Sequence, residues 1–443
     1  MNRILILGAG RSSGALISYL LKEAGTHGWQ VLVGDVSLES AQERIGGETA
    51  GRALHFDIQH EKNAEAVIAE TDVVISLLPA HFHPQVAKYC YRLGKHLLTA
   101  SYVSDEMKAF HEQALSKGLL FLNECGLDPG IDHMSAVQVM DKIRLRGGVL
   151  TSFESFTGGL IAPETDPDNP WRYKFTWNPR NVVMAGQGTA RYLRDGQYKY
   201  IPYQQLFRRT TPVHVLGYGD FEGYANRDSL KYINTYNLQG IKTILRGTLR
   251  YKGYCSAWSI LVQLGCCDDS YPLEGVGAMT HCDFLDSFLF TAEGVSVQEK
   301  ISVMFGLDVN GPELERLRWS GLFTAEEVGL EKGTPAQVLE HILNKKWQLS
   351  PDDKDFVVMW HRFVFEQDGE VKEIQASLAV TGEDSLNTAM ATTVGLPLGI
   401  AAKLLMQGKL KSRGVVIPIA PEFYNPILEE LKQFGIFLTE AES

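Results

Sequence analysis

The first 35 residues constrain the fold more than any other part of the chain. Residues 3–7 form an apolar run that predicts a strand, residues 8–14 predict a glycine-rich turn, and residues 15–23 have helical apolar spacing. This order is typical of dinucleotide-binding folds, in which the helix N-terminus stabilises a pyrophosphate. The sequence therefore predicts a nucleotide site at its very start.

Each position of the glycine turn has an expected role. Gly8 permits the tight turn, and Gly10 lets the backbone approach the pyrophosphate. The third position is Ser13 instead of glycine or alanine, but a small residue still permits close packing of helix against strand. We therefore expect cofactor contacts from Gly8, Gly10, Arg11, Ser12 and Ser13.

The second apolar run, residues 30–34, predicts a strand that ends at Asp35. An acidic residue at this position accepts hydrogen bonds from the adenosine ribose and repels a 2′-phosphate. The sequence thus predicts a preference for NAD, with NADP as the alternative because Arg11 lies close enough along the chain to reach a phosphate. The structural alternative is that Asp35 only begins the turn before Ser37.

Further alternation of strands and helices predicts an α/β fold with a doubly wound parallel sheet. The apolar runs at 51–56, 72–78 and 95–99 predict strands, and the segments at 63–70, 84–93 and 104–117 predict the connecting helices. Asp57, directly after the third strand, is expected to contact the adenine. The loops 79–83 and 101–104 are expected to converge at the nicotinamide end.

The segment 123–134 carries the densest chemistry of this first part of the chain. It follows an apolar run at 119–122 and precedes a helical pattern, so it lies at the edge where open α/β sheets bind ligands. On this segment alone, a second interpretation is equally supported. In it, residues 128–130 form only a turn and Asp132 only caps a helix.

The rest of the chain predicts a mixed α/β domain for the substrate, with β-like runs at 152–157, 214–216, 243–251, 356–366 and 373–380. Residues 291–354 have helical patterns that suggest a small helical insertion. The apolar helix 385–406 is expected to return to the first domain. We therefore expect a Rossmann domain from 1–126 and 385–443, a substrate domain from 127–290 and 355–384, and the insertion at 291–354.

Composition excludes several classes of protein. A net charge of −11 argues against a nucleic-acid partner, because phosphate contacts need clustered Lys and Arg. No apolar run reaches about 18 residues, so no membrane partner is expected. The six cysteines form no CxxC pair, so we expect neither a metal nor disulfides, and a reducing cytoplasm is the simplest location. The oligomeric state is not fixed by the sequence, which allows a homodimer.

A series of blocks resembles the saccharopine reductases, the saccharopine dehydrogenases that form glutamate, and runs in the family order over essentially the whole chain. The blocks are DVVISLLPAHFH (72–83), TASYVS (99–104), GLDPGIDHM (126–134), TGGLIAPETDPDNPWRYKFTWNPR (157–180), ANRDS (225–229), ILRGTLRYKGY (244–254) and MATTVGLPLGIAAKLL (390–405). The resemblance implies reversible, NAD(P)-dependent conversion of saccharopine to glutamate and 2-aminoadipate 6-semialdehyde in lysine metabolism. The direction used in the cell is not implied.

The resemblance also implies site residues. Arg227 and Thr248 would bind substrate, with Arg227 clamping a carboxylate, while Tyr102 and Asp128 would bind substrate and take part in catalysis. The structural alternatives are an ion pair of Arg227 with Asp228 and a plain strand residue for Thr248. The remaining expected cofactor contacts are Ser76, Leu77, Leu78, Pro79, Ser101, Leu127, Asp128 and Pro129.

Two departures from the family pattern matter. Yeast-like members have Cys where this chain has Thr157, so a thiol is not required there. Fungal members resemble NADP enzymes, whereas Asp35 points to NAD. The general base stays open among Asp132, His133 and the substrate amine. Two other functions remain as alternatives, an imine reductase like carboxynorspermidine dehydrogenase and a dinucleotide-binding sensor without catalysis.

Overall fold

The computed structural model describes residues 2–443, which form two compact units. The first unit extends to Gly147 and includes Leu386–Thr439, and the second comprises Gly148–Ser385 and Glu440–Ser443. The first boundary therefore lies after residue 147, not after residue 126 as expected, because the helix that follows the 123–134 loop packs within the first unit.

The strands lie in two sheets. Strands β1 to β6 are Arg3–Leu7, Gln30–Asp35, Gly51–His55, Val73–Ser76, His96–Thr99 and Leu120–Leu122. Strands β7 to β14 are Val149–Ile161, Ala190–Arg194, Gln197–Ile201, Thr211–Val215, Gly219–Ala225, Thr243–Tyr251, Asp355–Gln367 and Glu370–Thr381. Strands β15 and β16 are Gly414–Val416 and Thr439–Glu442.

The helices follow the same order. Helices α1 to α7 are Gly14–His27, Leu38–Ile45, Glu61–Ala69, His83–Leu93, Asp105–Lys108, His111–Ser116 and Ile131–Leu145. Helices α8 to α15 are Pro179–Val183, Tyr203–Leu206, Lys231–Thr235, Tyr254–Leu264, His281–Asp286, Val297–Phe305, Pro312–Trp319 and Pro335–Trp347. Helices α16 and α17 are Ala389–Met406 and Pro421–Leu431, and short 3-10 turns occur at Arg11–Ser13, Ala80–Phe82, Val276–Ala278 and Lys432–Phe434.

The first unit contains the expected doubly wound sheet, with strand order β15-β6-β5-β4-β1-β2-β3 and parallel pairing throughout. Strands β1, β4 and β6 of this sheet are nearly continuous buried apolar runs, as a sheet covered on both faces requires, whereas the edge strand β3 is partly exposed. The direction of strand order reverses between β1 and β4, which is where such sheets bind ligands.

Helix α16 returns to the first unit, as expected. Its glycines lie against α1, because a Cβ at Gly395 would be 3.0 Å from the backbone nitrogen of Leu16 and one at Gly399 would be 2.6 Å from the Tyr19 ring. The helix is long and apolar enough to cross a membrane, but 78% of it is buried inside the protein. Its apolar character is therefore explained by packing.

The second unit is built on a mixed sheet of order β10-β11-β12-β7-β13-β14-β16, with the β8-β9 hairpin attached to β12. Strands β12 and β7 pair in parallel. Strand β11 pairs antiparallel with β10 and β12, and β13 pairs antiparallel with β7 and β14. One apolar core joins this sheet to the helices of residues 291–354, since Leu314, Leu339 and Trp347 pack in the same cluster as Phe156 and Trp258. The helices expected as an insertion are thus part of this unit's core.

Candidate active site

The glycine turn lies between β1 and α1 and fits a phosphate group. Gly8 has φ +103°, a backbone conformation that favours glycine, and a Cβ there would lie 3.3 Å from the carbonyl oxygen of Leu77. Both the backbone conformation and the close contact therefore favour glycine at this position. A Cβ at Gly10 would meet no atom within 4 Å, which leaves its backbone open to approach. The chain then enters a 3-10 turn and α1, whose N-terminal amides favour an anion.

The three residues after Gly10 differ in exposure. Arg11 is exposed and Ser12 is half-buried, so both side chains lie at the surface of the turn. Ser13 is buried, and its hydroxyl donates to the Gly10 carbonyl at 2.8 Å. The Ser13 side chain therefore stabilises the turn, and any contact it makes with a cofactor would have to come from its backbone.

Asp35 lies beside the glycine turn at the end of β2. Its carboxylate accepts the backbone N–H of Ala9 at 2.7 Å and that of Ser37 at 2.9 Å, so the negative charge is fixed in position. Arg44 approaches the same turn, with its Nε 3.5 Å from the Ala9 carbonyl oxygen. Asp57 accepts the backbone N–H of Gln59 at 2.9 Å, which is a local turn contact.

In the second half of the sheet, the residues expected to contact the cofactor lie at the ends of β4 and β5 and directly after them. Ser76 is buried at the end of β4, Leu77 and Leu78 are half-buried, and Pro79 is exposed. Leu77 donates to the Leu7 carbonyl at 2.8 Å, which joins this edge to the start of the glycine turn. Ser101, after β5, is half-buried.

The Asp128 carboxylate accepts a hydrogen bond from the Tyr102 hydroxyl at 3.0 Å, so two expected site residues meet. The turn that holds Asp128 closes through a hydrogen bond from Gly126 to the Pro129 carbonyl at 2.9 Å. Gly130 has φ +149°, and a Cβ there would lie 2.0 Å from the Gly126 oxygen, so this position accepts only glycine. Leu127 is buried.

A buried group of polar side chains stabilises this loop. Glu124 lies 2.7 Å from the Nε2 of His133 and accepts the backbone N–H of Val103 at 3.0 Å, next to Tyr102. Asp132 accepts the N–H of Gly130 at 2.6 Å and so acts within the turn. All three acidic or imidazole side chains are buried. Glu124 is not among the predicted site residues, because only the fold brings it to Val103 and His133.

In the second unit, Arg227 follows β11 in a turn with φ +47°, and its carbonyl accepts the N–H of Arg191 at 2.8 Å. The side chain of Arg191 also pairs with Asp228. Asp228 therefore forms its ion pair with Arg191, in place of the pair with Arg227 considered from the sequence.

Thr248 is half-buried on β12 and lies between Tyr224 of β11 and Thr157 of β7. The Thr157 hydroxyl is buried and has no hydrogen-bond partner among residues 2–443.

Arg250 lies two residues beyond Thr248 and therefore on the same face of β12. Its buried guanidinium lies 4.9 Å from the Tyr173 ring, 5.1 Å from that of Tyr254 and 5.8 Å from that of Tyr224. Within the described chain, its Nε has no hydrogen-bond partner. The Arg250 guanidinium therefore places a permanent positive charge beside Thr248. Burial raises the pKa of Tyr173 to about 12, so the Tyr173 side chain stays neutral. Arg250 is not among the predicted site residues, because the three rings around it come from distant segments of the chain.

Comparisons with known proteins cover the whole chain. Residues 4–122 match the family model described as the saccharopine dehydrogenase NADP binding domain, and residues 126–436 match that of the saccharopine dehydrogenase C-terminal domain. The first match identifies a dinucleotide-binding domain.

Similar curated proteins include the Saccharomyces cerevisiae saccharopine dehydrogenase [NADP(+), L-glutamate-forming], 32% identical over 99% of this chain and 98% of that protein. The mitochondrial alpha-aminoadipic semialdehyde synthase of Bos taurus is 34% identical over 99% of this chain but 47% of its own length. The chain thus spans about half the length of such relatives.

Two solved structures are similar. The apo saccharopine dehydrogenase (L-Glu forming) of Saccharomyces cerevisiae has a TM-score of 0.90 at 32% identity, and it covers all of both chains. The homospermidine synthase of Legionella pneumophila has a TM-score of 0.54 at 11% identity over 100% of this chain and 91% of that chain, which indicates a similar fold alone.

Proposed function

The chain belongs to the saccharopine dehydrogenase family, and on this premise we propose that it interconverts saccharopine with L-glutamate and 2-aminoadipate 6-semialdehyde. The observation that carries the proposal is the 32% identity over 98% of the yeast protein named for L-glutamate formation. The family resemblance expected from the sequence blocks is confirmed by this match and by both family models.

The chemistry begins at the carbon that becomes the aldehyde. In the oxidative direction, this carbon loses a hydride, and its bond to the bridging nitrogen becomes a cationic imine. A bound nicotinamide dinucleotide would supply the hydride acceptor. Water adds to the imine carbon, the carbon–nitrogen bond breaks, and the nitrogen leaves with glutamate. One proton is released overall.

Asp128 and Tyr102 are proposed to act at the imine. A fixed carboxylate stabilises a cationic imine electrostatically, and the effect is strong where water is excluded. The Tyr102 hydroxyl, which donates to Asp128 at 3.0 Å, holds that carboxylate in place and offers a proton path to the substrate nitrogen. The buried Glu124 and His133 keep this loop in position.

The substrate has three carboxylates, and arginines suit such groups. Arg227 is proposed to clamp one of them, and Thr248 to donate a hydrogen bond to substrate. Arg250 supports this from within the core, because a buried guanidinium without an ion pair among the described residues attracts anions to the neighbouring strand surface. These local charges offset the overall charge of −11.

The coenzyme is a separate proposal. The family model and the fungal relatives are named for NADP, so the comparisons favour NADP and do not support the NAD preference expected from Asp35. The support for NAD is local. The carboxylate is fixed between the N–H groups of Ala9 and Ser37, and a 2′-phosphate there would meet its negative charge. We therefore propose that NAD is preferred.

The coenzyme test compares kcat/KM for NADH and NADPH in the wild type and in Asp35→Asn, which keeps an acceptor but removes the charge. We expect a wild-type preference for NADH, and a shift of the ratio toward NADPH of about tenfold in the variant. A wild-type preference for NADPH would contradict the proposal, and Arg44 would then be the first cation to test.

The function is tested by oxidation of NADH or NADPH in the presence of glutamate and 2-aminoadipate 6-semialdehyde. The control reaction replaces these substrates by diaminopropane or putrescine with aspartate semialdehyde. We expect turnover with the first pair only. Turnover with the polyamine pair would indicate a carboxynorspermidine-type reductase, and dinucleotide binding without any turnover would indicate a sensor.

A further inference from the structure

One imidazole joins two loops at the carboxyl edge of the first sheet. His83, the first residue of α4, has its Nδ1 3.0 Å from the hydroxyl of Ser76, the last residue of β4. Its Nε2 lies 2.8 Å from the hydroxyl of Ser101 and 3.1 Å from that of Thr99, the last residue of β5. Both ring nitrogens are therefore used, one for each loop.

The ring is neutral at physiological pH. It is 3% exposed, and burial, with a smaller effect from His81, lowers the pKa of His83 to about 4. A neutral imidazole has one N–H donor and one acceptor nitrogen. Hydroxyl groups can pair with either ring nitrogen, because a hydroxyl can both donate and accept a hydrogen bond. The hydrogen-bond partners of this ring within residues 2–443 are the three hydroxyls, and none is a carboxylate.

The loops after β4 and β5, which the His83 ring connects, lie in the half of the sheet that binds the second nucleotide of a dinucleotide. In a doubly wound sheet, the half that carries the glycine turn binds the adenosine, and the half beyond the reversal binds the second nucleotide. Strands β4 and β5 belong to that second half. Ser76 and Ser101 are expected cofactor contacts, and Tyr102 directly follows Ser101.

We propose that His83 is a positioning residue for the nicotinamide half of the bound dinucleotide. It fixes the Ser101 hydroxyl and the start of the Tyr102 loop relative to the end of β4. The inference rests on the proposed function only in taking the second nucleotide to be nicotinamide. A purely structural histidine would support the fold but would not distinguish one half of the cofactor from the other.

The test measures the dissociation constants of two ligands, the reduced dinucleotide and its fragment without nicotinamide. These are NADH with ADP-ribose, or NADPH with 2′-phospho-ADP-ribose if NADPH binds more tightly. His83→Phe keeps a ring of similar size and removes the hydrogen bonds. We expect it to raise Kd for the whole dinucleotide about tenfold and that for the fragment less than about twofold.

Three further variants sharpen the result. Ser101→Ala should give the same difference between ligands. Combining it with His83→Phe should add nothing, because both variants remove the His83–Ser101 hydrogen bond through which the effect is proposed to act. Ser101→Ala also serves if His83→Phe does not fold. His83→Gln, whose amide reaches the place of Nε2, should restore most of the affinity.

The matched control is His96→Gln, at the opposite end of β5. His96 is also partly buried, and its Nδ1 accepts the N–H of Leu120 at 2.9 Å. We expect no change in either constant. The proposal is overturned if His83→Phe leaves both constants unchanged, if it raises both equally, or if its effect adds to that of Ser101→Ala. If the wild type binds the dinucleotide but does not turn over saccharopine, the proposed function is wrong. The effect of His83→Phe on the two dissociation constants can still be measured in that case, so the two proposals fail separately.

Discussion

At the scale of single residues, the site depends on contacts between segments that are distant in the chain. The family resemblance pointed to Tyr102 and Asp128, and the structure joins them at 3.0 Å. Their catalytic roles remain predictions. Glu124 and Arg250 could not be inferred from local sequence, because a lone acidic or basic residue is usually a solvated side chain. Their importance comes from burial, which only the fold supplies.

Replacing Tyr102 by Phe removes the hydroxyl and keeps the ring. We expect kcat for saccharopine oxidation to fall about 10- to 100-fold, because Asp128 loses its donor, while KM for the dinucleotide stays within about twofold. Steady-state kinetics with both substrates varied would measure this. An unchanged kcat would remove Tyr102 from the catalytic group.

A matched control exists in the same unit. The Tyr424 hydroxyl donates to Asp141 at 2.8 Å, which is the same type of pair between helices α17 and α7. Tyr424→Phe should lower stability by about 1 kcal/mol and leave kcat unchanged. Equal losses of kcat in both variants would mean that Tyr102→Phe lowers kcat through a general effect on the first unit, and not through the loss of its hydrogen bond to Asp128.

His83 also predicts a dependence of stability on pH. Its pKa is about 4 in the folded protein and 6.5 in an unperturbed imidazole. Between these two pH values, His83 is mostly protonated in the unfolded chain and mostly neutral in the folded protein. Stability should therefore fall as pH is lowered from 6.5 to 4, by up to about 3 kcal/mol. Thermal midpoints of wild type and His83→Phe across this range would test it. Parallel curves for the two proteins would contradict the assignment.

At the scale of elements, apolar runs and glycine turns predicted most of the first unit. Strand β1 was predicted to the residue, and β2 to β6 to within a few residues. The expected helix 104–117 is instead two short helices, α5 and α6. The β8-β9 hairpin, β11 and β15 were missed, since short or partly polar strands are stabilised by pairing with neighbours and not by local pattern. Helix α11 was missed because almost all of its side chains are buried, which leaves its sequence without a helical apolar period.

The turn that carries Asp128 gives a prediction at this scale. Gly130→Ala places a Cβ against the Gly126 oxygen and should cost more than about 3 kcal/mol, with loss of activity. Gly118→Ala is the control, since it also has positive φ but no atom within 4 Å of the added Cβ, and it should cost about 1 kcal/mol. Thermal unfolding compares them, and similar midpoints would show that the turn tolerates a side chain.

At the scale of the whole molecule, two units with different sheets are joined by three chain crossings, near residues 147, 385 and 439. The sequence predicted both fold types, but it placed the first crossing too early and separated helices that share the second unit's core. Hydrophobic patterns show which residues are buried, whereas the partner they pack against is decided by tertiary structure. The family blocks supplied what patterns could not, namely the substrate that we propose.

The central claim is that this chain cleaves saccharopine on the side that yields glutamate. The direct measurement is to incubate saccharopine with NAD⁺ or NADP⁺ and identify the amino-acid products by mass spectrometry. We expect glutamate and 2-aminoadipate 6-semialdehyde in amounts equal to the reduced dinucleotide formed. Lysine and 2-oxoglutarate, which arise if hydride leaves the other carbon on the bridging nitrogen, or no turnover with either coenzyme, would contradict the claim.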